Sequence, residues 1–305
     1  MSALLLALVV ELFVDWIPEQ THIEKFPFAY ELQLALKEKD CTLQPWHKNP
    51  DDLWVFWNLG ERVSLDELQG VPQNRRVLFT WEPPTVQPML FDPKVLQLFG
   101  KVFTWDDDLV ENRGFIKFFY PVLQPRMESV PSFEEKRFCT MIARRLSSKH
   151  PKQLYQEREK IIRFFENKPG EFDLYGAYWE KRKFKNWHGA ISDKLSVLKG
   201  YKYCICYENM KDVRGYITEK IFDCFAAGVV PVYWGASNIT DYIPPGCFID
   251  RRCFQSNEKL YAFLKKISKP EYEAYLDSAM RFLQSEQAQK FSKEHFVKTV
   301  VKVLE

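Results

Sequence analysis

One stretch constrains this chain more than any other. Tyr203 to Trp234 reads YCICYENMKDVRGYITEKIFDCFAAGVVPVYW, which is the pattern of strand, loop, helix and strand. Tyr203 to Tyr207 is apolar on both faces, as in a central strand covered on both sides. Glu208 and Asn209 put polar groups at its C-terminal end, and a charged loop runs from Lys211 to Gly215. Tyr216 to Lys220 opens a helix for which Thr218 is the expected cap. Ile217, Ile221 and Phe225 fall at i, i+4 and i+8 and form its buried stripe. Gly228 stands where the C′ residue belongs. Val229 to Trp234 is the next strand, with Pro231 tolerable only near a strand start or at an edge. A βαβ unit of this kind places ligands beyond the carboxyl ends of its strands, where the helix N-terminus favours an anion. Lys220 is out of place there, because the first turn disfavours a cation. Two readings stay open: a solvated lysine in an ordinary crossover, or a cation balanced by an anionic ligand.

Around this core the chain has 305 residues, enough for two domains of ordinary size. Strands and helices alternate in both halves, which predicts mainly parallel sheets. In the first half, Phe28 to Lys39 and Pro93 to Phe99 have helical spacing. Leu53–Trp57, Val77–Thr80, Lys101–Trp105 and Ile116–Tyr120 have strand composition. Gln124 to Arg137, with Pro125, Pro131 and mixed charge, reads as a linker. The expected domains are therefore residues 1–130 and 131–305, with a last helix that could cross back. Ser268 to Glu305 has a helical pattern with a break near Pro270.

The net charge of +2 excludes a nucleic-acid binder driven by bulk charge. The seven cysteines, Cys41, Cys139, Cys204, Cys206, Cys224, Cys247 and Cys253, lie mostly in apolar runs and read as buried thiols of a reducing compartment. Cys204-x-Cys206 has no second ligand pair, which argues against structural zinc. The apolar start, Ala3 to Val10, is interrupted by Glu11 and Asp15 and reads as a first buried strand rather than a signal peptide or anchor. The expectation is a cytoplasmic protein of bacterial type without a transmembrane segment; peripheral membrane contact stays open. In that compartment the Asn238-Ile239-Thr240 sequon carries no meaning.

Several polar groups outside the central stretch can carry chemistry. Trp81-Glu82-Pro83-Pro84 directly follows a strand, so the Glu82 carboxylate is held where a domain cleft would be, although a solvent-facing loop gives the same pattern. Asp106-Asp107-Asp108 follows another strand. It could be read as a metal-binding acidic motif. A loop with a capping role is preferred, since the triplet lies in the half of the chain that lacks the central βαβ stretch. His188 has no companion at metal spacing and reads as a surface histidine. The loop from Gly176 to Asp193 is rich in Trp, Lys and Arg and could fold over a ligand or be merely solvated.

The words themselves go further. YEN, GYITEK and AAGVVPVYWGASNITDYIPPGCFIDRRCF closely resemble glycosyltransferase family 10, the α-1,3/1,4-fucosyltransferases. Leu154-Tyr155-Gln156-Glu157-Arg158 and Phe172-Asp173-Leu174-Tyr175-Gly176 resemble the opening of that family's donor domain. The resemblance implies a GT-B fold, two Rossmann-like domains facing across a cleft. It implies an inverting transfer of L-fucose from GDP-fucose to a hydroxyl of an N-acetylglucosamine-containing glycan, in α-1,3 linkage. It implies Glu82 as general base and Arg158 and Lys220 as the cations that meet the pyrophosphate. Glu219 would hold the ribose hydroxyls, and Asn209 and Tyr216 would contact the phosphates or the fucose. No metal would be required, with Mn²⁺ stimulation left open. Two departures matter: Arg144-Arg145 stands where family members commonly have Ser-Asn, and the Asp106 region departs from the family's usual wording. The rivals are another GT-B enzyme with a different nucleotide sugar, and a non-catalytic glycan- or nucleotide-binding protein.

Overall fold

The computed structural model describes residues 5–9, 27–38, 42–45, 53–58 and 68–304. The chain divides into two units, Met1–Pro121 with Lys293–Glu305, and Val122–Ser292. In the first unit the strands are β1 (Leu5–Val9), β2 (Thr42–Pro45), β3 (Leu53–Trp57), β4 (Arg76–Thr80), β5 (Lys101–Thr104) and β6 (Ile116–Lys117). They form one parallel sheet in the order β2-β1-β3-β4-β5-β6. Every residue of β3 and β4 is buried, which explains why these runs are apolar throughout rather than alternating. Helices α1 (Pro27–Lys37), α2 (Pro93–Leu96) and α3 (Asp107–Arg113) connect the strands. The apolar start is thus a strand, as its composition predicts; its side chains and Cys41 lie outside the described residues.

The second unit holds β7 (Arg137–Ile142), β8 (Phe172–Tyr175), β9 (Tyr201–Tyr207), β10 (Val230–Trp234) and β11 (Ile249–Asp250). All pair parallel in the order β11-β10-β9-β7-β8. Its helices are α4 (Tyr155–Phe165), α5 (Lys194–Leu198), α6 (Glu219–Ala226), α7 (Asn257–Lys266), α8 (Lys269–Leu283) and α9 (Glu286–Gln289). From β7 the chain moves outward to β8 and then returns to the other side of β7 to lay down β9. The order therefore reverses between β7 and β9, and the carboxyl ends of these two strands are where a sheet of this topology receives a ligand. Strand β9 is central and buried, and Ile221 and Phe225 form the apolar stripe of α6 beneath it; Ile217 is buried too, but it precedes the helix, which starts at Glu219 behind Thr218 rather than at Tyr216. Gly228 (φ 65°) ends that helix. Pro231 pairs with Cys204 on one side, and pairing with β11 begins only at Val232, so the ring interrupts no ladder there.

Two features differ from the sequence reading, and the place of the last helix, left open there, is given by the structure. Residues 122–130 belong with the second unit: Leu123 N–H donates to Phe291 O (2.8 Å), Met127 N–H to Ala226 O (2.9 Å) and Gln124 Nε2 to Asp223 Oδ1 (2.7 Å). Proline and charge make this segment look like a linker, but its backbone is anchored. The last helix, α10 (Lys293–Leu304), belongs with the first unit. Its Phe296 meets Trp57 and Phe79 at 5.9 and 6.0 Å between ring centroids, and Lys101 Nζ donates to Val303 O. Pro270 does not break a helix; it sits in the first turn of α8, where its missing N–H costs nothing, behind a Ser268–Glu271 capping box. Among the described residues no helix is long and apolar enough to cross a membrane. The described cysteines are free thiols, buried except for Cys253.

Candidate active site

At the carboxyl end of β9 the chain places a carboxylate, Glu208, that is fully buried. Its backbone N–H still pairs with Trp234 O (2.8 Å), so the strand ladder fixes where the side chain starts. The carboxylate Oε1 accepts from Thr218 N–H (2.9 Å) and lies 3.0 Å from Thr218 Oγ1; Oε2 lies 2.8 Å from the same hydroxyl and 3.1 Å from Lys220 Nζ. Thr218 does occupy the cap position of α6. Its hydroxyl does not cap the helix but turns to Glu208, which serves the first N–H from the preceding strand instead. Lys220 therefore sits in the first turn without a dipole penalty to explain: the balancing anion is the protein's own. Sequence reasoning looked for that anion in a ligand and passed over Glu208, whose signal was a carboxylate ending an otherwise apolar strand.

Four more of the anticipated residues gather at the same strand ends. Arg158, on α4, is buried, and its Nη2 donates to Tyr207 O (2.7 Å) and Asn209 Oδ1 (3.0 Å), tying the helix that follows β7 to the end of β9. Burial pushes its guanidinium down from the ordinary arginine value, and the nearby Tyr155 and Glu208 oppose that. Asn209 is half-buried, and its carbonyl accepts from Leu154 N–H (3.1 Å) at the start of α4. Tyr216 is buried, with its carbonyl 3.3 Å from the Tyr233 hydroxyl. Glu219 lies 3.6 Å from Lys220 Nζ and 3.5 Å from Lys194 Nζ. Its surroundings desolvate the carboxyl, but Lys220 and Lys194 outweigh that and bring it down to about 2. For Lys220 burial disfavours the ammonium, yet Glu208 and Glu219 reverse the effect and hold it above the ordinary lysine range. The result is two cations and two carboxylates at the switch point, with Lys220 keeping 21% of its side chain exposed.

Glu82 lies in the other unit, past the end of β4, and is half-buried. Its N–H donates to Asn58 Oδ1 (2.9 Å); Asn58 is buried, left-handed (φ 73°), and anchored through its own N–H to Phe79 O (3.0 Å). The Tyr120 hydroxyl donates to Trp81 O, and the Trp81 ring stacks on Trp57 and Phe118 at 5.8 and 5.4 Å. The backbone that carries Glu82 is thus fixed from both sides.

The remaining candidates are structural. Asp106 caps α3, accepting from Asp108 N–H (2.9 Å) and Leu109 N–H (3.2 Å), and Asp107 pairs with Lys117 (2.5 Å). Among the described residues no cluster of His, Cys, Asp or Glu is arranged to hold a metal. Arg144 is exposed, whereas Arg145 pairs with Glu159 (3.0 Å) and pins the following loop through Glu180 (3.6 Å). His188 is a surface residue but has a partner, Asp173 Oδ1 at 2.7 Å. The loop 176–193 folds onto its own strands: Trp179 Nε1 donates to Ala143 O (2.7 Å) and Trp187 Nε1 to Gly176 O (2.9 Å).

Two α/β units with parallel sheets, the second carrying cations at its switch point, define the GT-B class of glycosyltransferase fold. A solved α1,3-fucosyltransferase with GDP-fucose has the same fold (TM-score 0.60, 17% identity, 99% of this chain and 90% of that one). Residues 135–302 match the family described as glycosyltransferase family 10 (fucosyltransferase), C-terminal. The chain belongs to that family. It is 30% identical over 261 residues to the mouse 4-galactosyl-N-acetylglucosaminide 3-alpha-L-fucosyltransferase 9, covering 80% of this chain and 66% of the mouse protein. It is 42% identical over 67 residues to an alpha-(1,4)-fucosyltransferase of Arabidopsis thaliana, covering 22% of this chain and 16% of that protein. The chain thus spans just under two thirds of the mouse relative's length.

Proposed function

We propose that this protein is an inverting fucosyltransferase that moves L-fucose from GDP-fucose to a hydroxyl of an N-acetylglucosamine-containing glycan, in α-1,3 linkage. The observation that carries the reading is the pair of built-in cations, Arg158 and Lys220, at the carboxyl ends of β7 and β9 within the family-10 region. The donor is supported by the GDP-fucose complex of the fold relative, and the acceptor and linkage by the mouse relative's name. The acceptor oxygen attacks C1 of fucose as the bond from C1 to the β-phosphate oxygen breaks. The electron pair leaves with GDP, and Glu82 takes the acceptor proton. Arg158 and Lys220 stabilise the charge that grows on GDP without reorganising, because their positions are already fixed by Tyr207, Asn209, Thr218 and Glu208. Glu219 accepts from the ribose hydroxyls as a carboxylate, a state its two lysine neighbours favour at every working pH. Asn209 orients Arg158 through its carbonyl oxygen, and its amide N–H groups serve the phosphates or the fucose beside Tyr216. The fixed cations take the place of a metal, and Mn²⁺ is at most a stimulant.

The test is a binding and transfer pair. GDP should bind in calorimetry, and Lys220→Ala and Arg158→Ala should each weaken it by about 1–3 kcal/mol, the worth of charge-assisted bonds. GDP-fucose with an N-acetyllactosamine acceptor should give a product one fucose heavier by mass spectrometry. Unchanged GDP affinity in both variants, or transfer only from a different nucleotide sugar, would remove the reading.

A further inference from the structure

We propose that Glu208 is the positioning residue of the donor site: its buried carboxylate fixes the Lys220 ammonium so that one N–H is left to meet a phosphate oxygen. This deepens the fucosyltransferase reading and rests on it. The argument begins with proton counting. Lys220 has three N–H donors and no acceptor, so the 3.1 Å contact between Nζ and Thr218 Oγ1 must be a bond from the lysine. The threonine's single proton is then directed to Glu208, 2.8–3.0 Å away. A second lysine N–H goes to Glu208 Oε2 at 3.1 Å. Glu219, at 3.6 Å, is an ion-pair neighbour beyond hydrogen-bond length. Glu208, Thr218 and Lys220 thus close a ring that commits two lysine donors and leaves the third uncommitted to either, on a side chain that is 21% exposed.

Glu208 is itself unable to move. Its backbone is in the β9–β10 ladder, its Oε1 holds the Thr218 N–H at the head of α6, and Gly235 lies against its Cγ so closely that an added Cβ would stand 2.6 Å away. The carboxylate is a rigid post, and the mobile partner, a lysine with four rotatable bonds, is tied to it. Glutamine cannot replace it. The two oxygens face donors on both sides, Thr218 N–H and Lys220 Nζ, and an amide offers one acceptor oxygen and one NH₂. In Glu208→Gln, either flip of the amide would set a donor against a donor.

The proposal has an unusual sign. By charge alone, removing an anion beside a phosphate site should tighten GDP binding. If Glu208 instead positions Lys220, its removal weakens binding. The charged and titratable groups around Lys220 are Glu208, Glu219, Arg158, Lys194 and Cys206. Glu208 heads those that favour the ammonium, so without it burial should drive the lysine's titration downward.

The experiment uses the full chain labelled with ¹³Cε-lysine, the Lys220 resonance being assigned with Lys220→Arg, alongside GDP calorimetry near neutral pH. In the wild type the Lys220 resonance should titrate above every solvent-exposed lysine. In Glu208→Gln it should titrate at a lower pH than any solvent-exposed lysine, and GDP affinity should fall about tenfold or more. Equal or tighter GDP binding in a folded Glu208→Gln overturns the proposal. If Glu208→Gln does not fold, the wild-type titration still decides: a Lys220 that loses its proton before the exposed lysines do is not held by Glu208. The two readings fail separately. Loss of the Lys220→Ala effect on GDP removes the donor-site assignment, whereas an intact Lys220→Ala effect beside an inert Glu208→Gln removes only the role of Glu208.

Discussion

Gly235 offers a sharp test of how tightly the fold and the candidate site are joined. It follows β10 and packs against the two side chains that frame the site from below. A Cβ built on it would lie 2.4 Å from the Tyr233 hydroxyl oxygen, 2.8 Å from Tyr233 Cζ and 2.6 Å from Glu208 Cγ. Ordinary contacts between such atoms are about 3.5–4.0 Å, so Gly235→Ala demands a shift of roughly 1 Å. Neither neighbour can swing aside freely. Tyr233 is buried, and its hydroxyl accepts from Ala236 N–H (3.1 Å) and lies 3.3 Å from Tyr216 O. Glu208 is held at both carboxylate oxygens. Overpacking of this kind costs about 1–3 kcal/mol, and a lost Tyr233 hydrogen bond about 1 more. For a domain of about 150–250 residues, 1 kcal/mol moves the melting temperature by about 2–4 °C, so the expected fall is roughly 4–16 °C. The control is Gly114→Ala in the first unit. That glycine is left-handed (φ 66°), but its added Cβ meets nothing within 4 Å, so the cost is backbone strain of about 1–2 kcal/mol. Both variants should melt earlier in scanning calorimetry, but only Gly235→Ala should weaken GDP, about tenfold or more. The reasoning is refuted if Gly235→Ala keeps wild-type GDP affinity.

Two further outcomes concern the chemistry. Glu82→Gln keeps the size of the side chain but cannot take a proton, so kcat should fall about 10²–10⁴-fold with GDP affinity and melting temperature nearly unchanged; transfer within a few-fold of wild type in the folded variant would place the base elsewhere. Transfer should persist in excess EDTA, since Arg158 and Lys220 do the work of a metal in the proposed reaction; complete loss restored by Mn²⁺ would contradict that and return attention to the acidic run at Asp106 to Asp108.

What could be read from the sequence was whatever a single element decides. The both-faced apolar run of β9, the pair Ile221 and Phe225 of the helix stripe and the glycine at 228 each follow from local periodicity or backbone conformation, and the structure has them as anticipated; Ile217 is buried but stands before the helix. The Asp106 cap belongs to the same class, because a side chain and N–H groups two and three residues on need no distant partner. Residues whose meaning depends on two elements meeting were misread or missed. Residues 122–130 carry no periodicity, so composition made them a linker; their hydrogen bonds go to Phe291, Ala226 and Asp223, far along the chain.

The instructive case is Lys220. Dipole reasoning was sound in stating that a cation in the first turn of a helix needs an anion, and it erred only in where it looked. The path from Glu208 to Thr218 turns back on itself through left-handed Asp212 (φ 57°) and Gly215 (φ 81°), with Asn238 Oδ1 holding the Gly215 N–H at 2.9 Å. That turn is written in no single window of sequence, and it brings the end of one strand onto the head of the next helix. A carboxylate buried this completely must be balanced by a cation and hydrogen bonds. Once Glu208 is inside, Lys220 follows, and the helix head can carry a fixed positive charge where an isolated helix could not. The internal anion answers the dipole, and it leaves the lysine one donor over: with two committed to Glu208 and Thr218 on a side chain that stays 21% exposed, the third is the one the proposed donor site assigns to a phosphate oxygen.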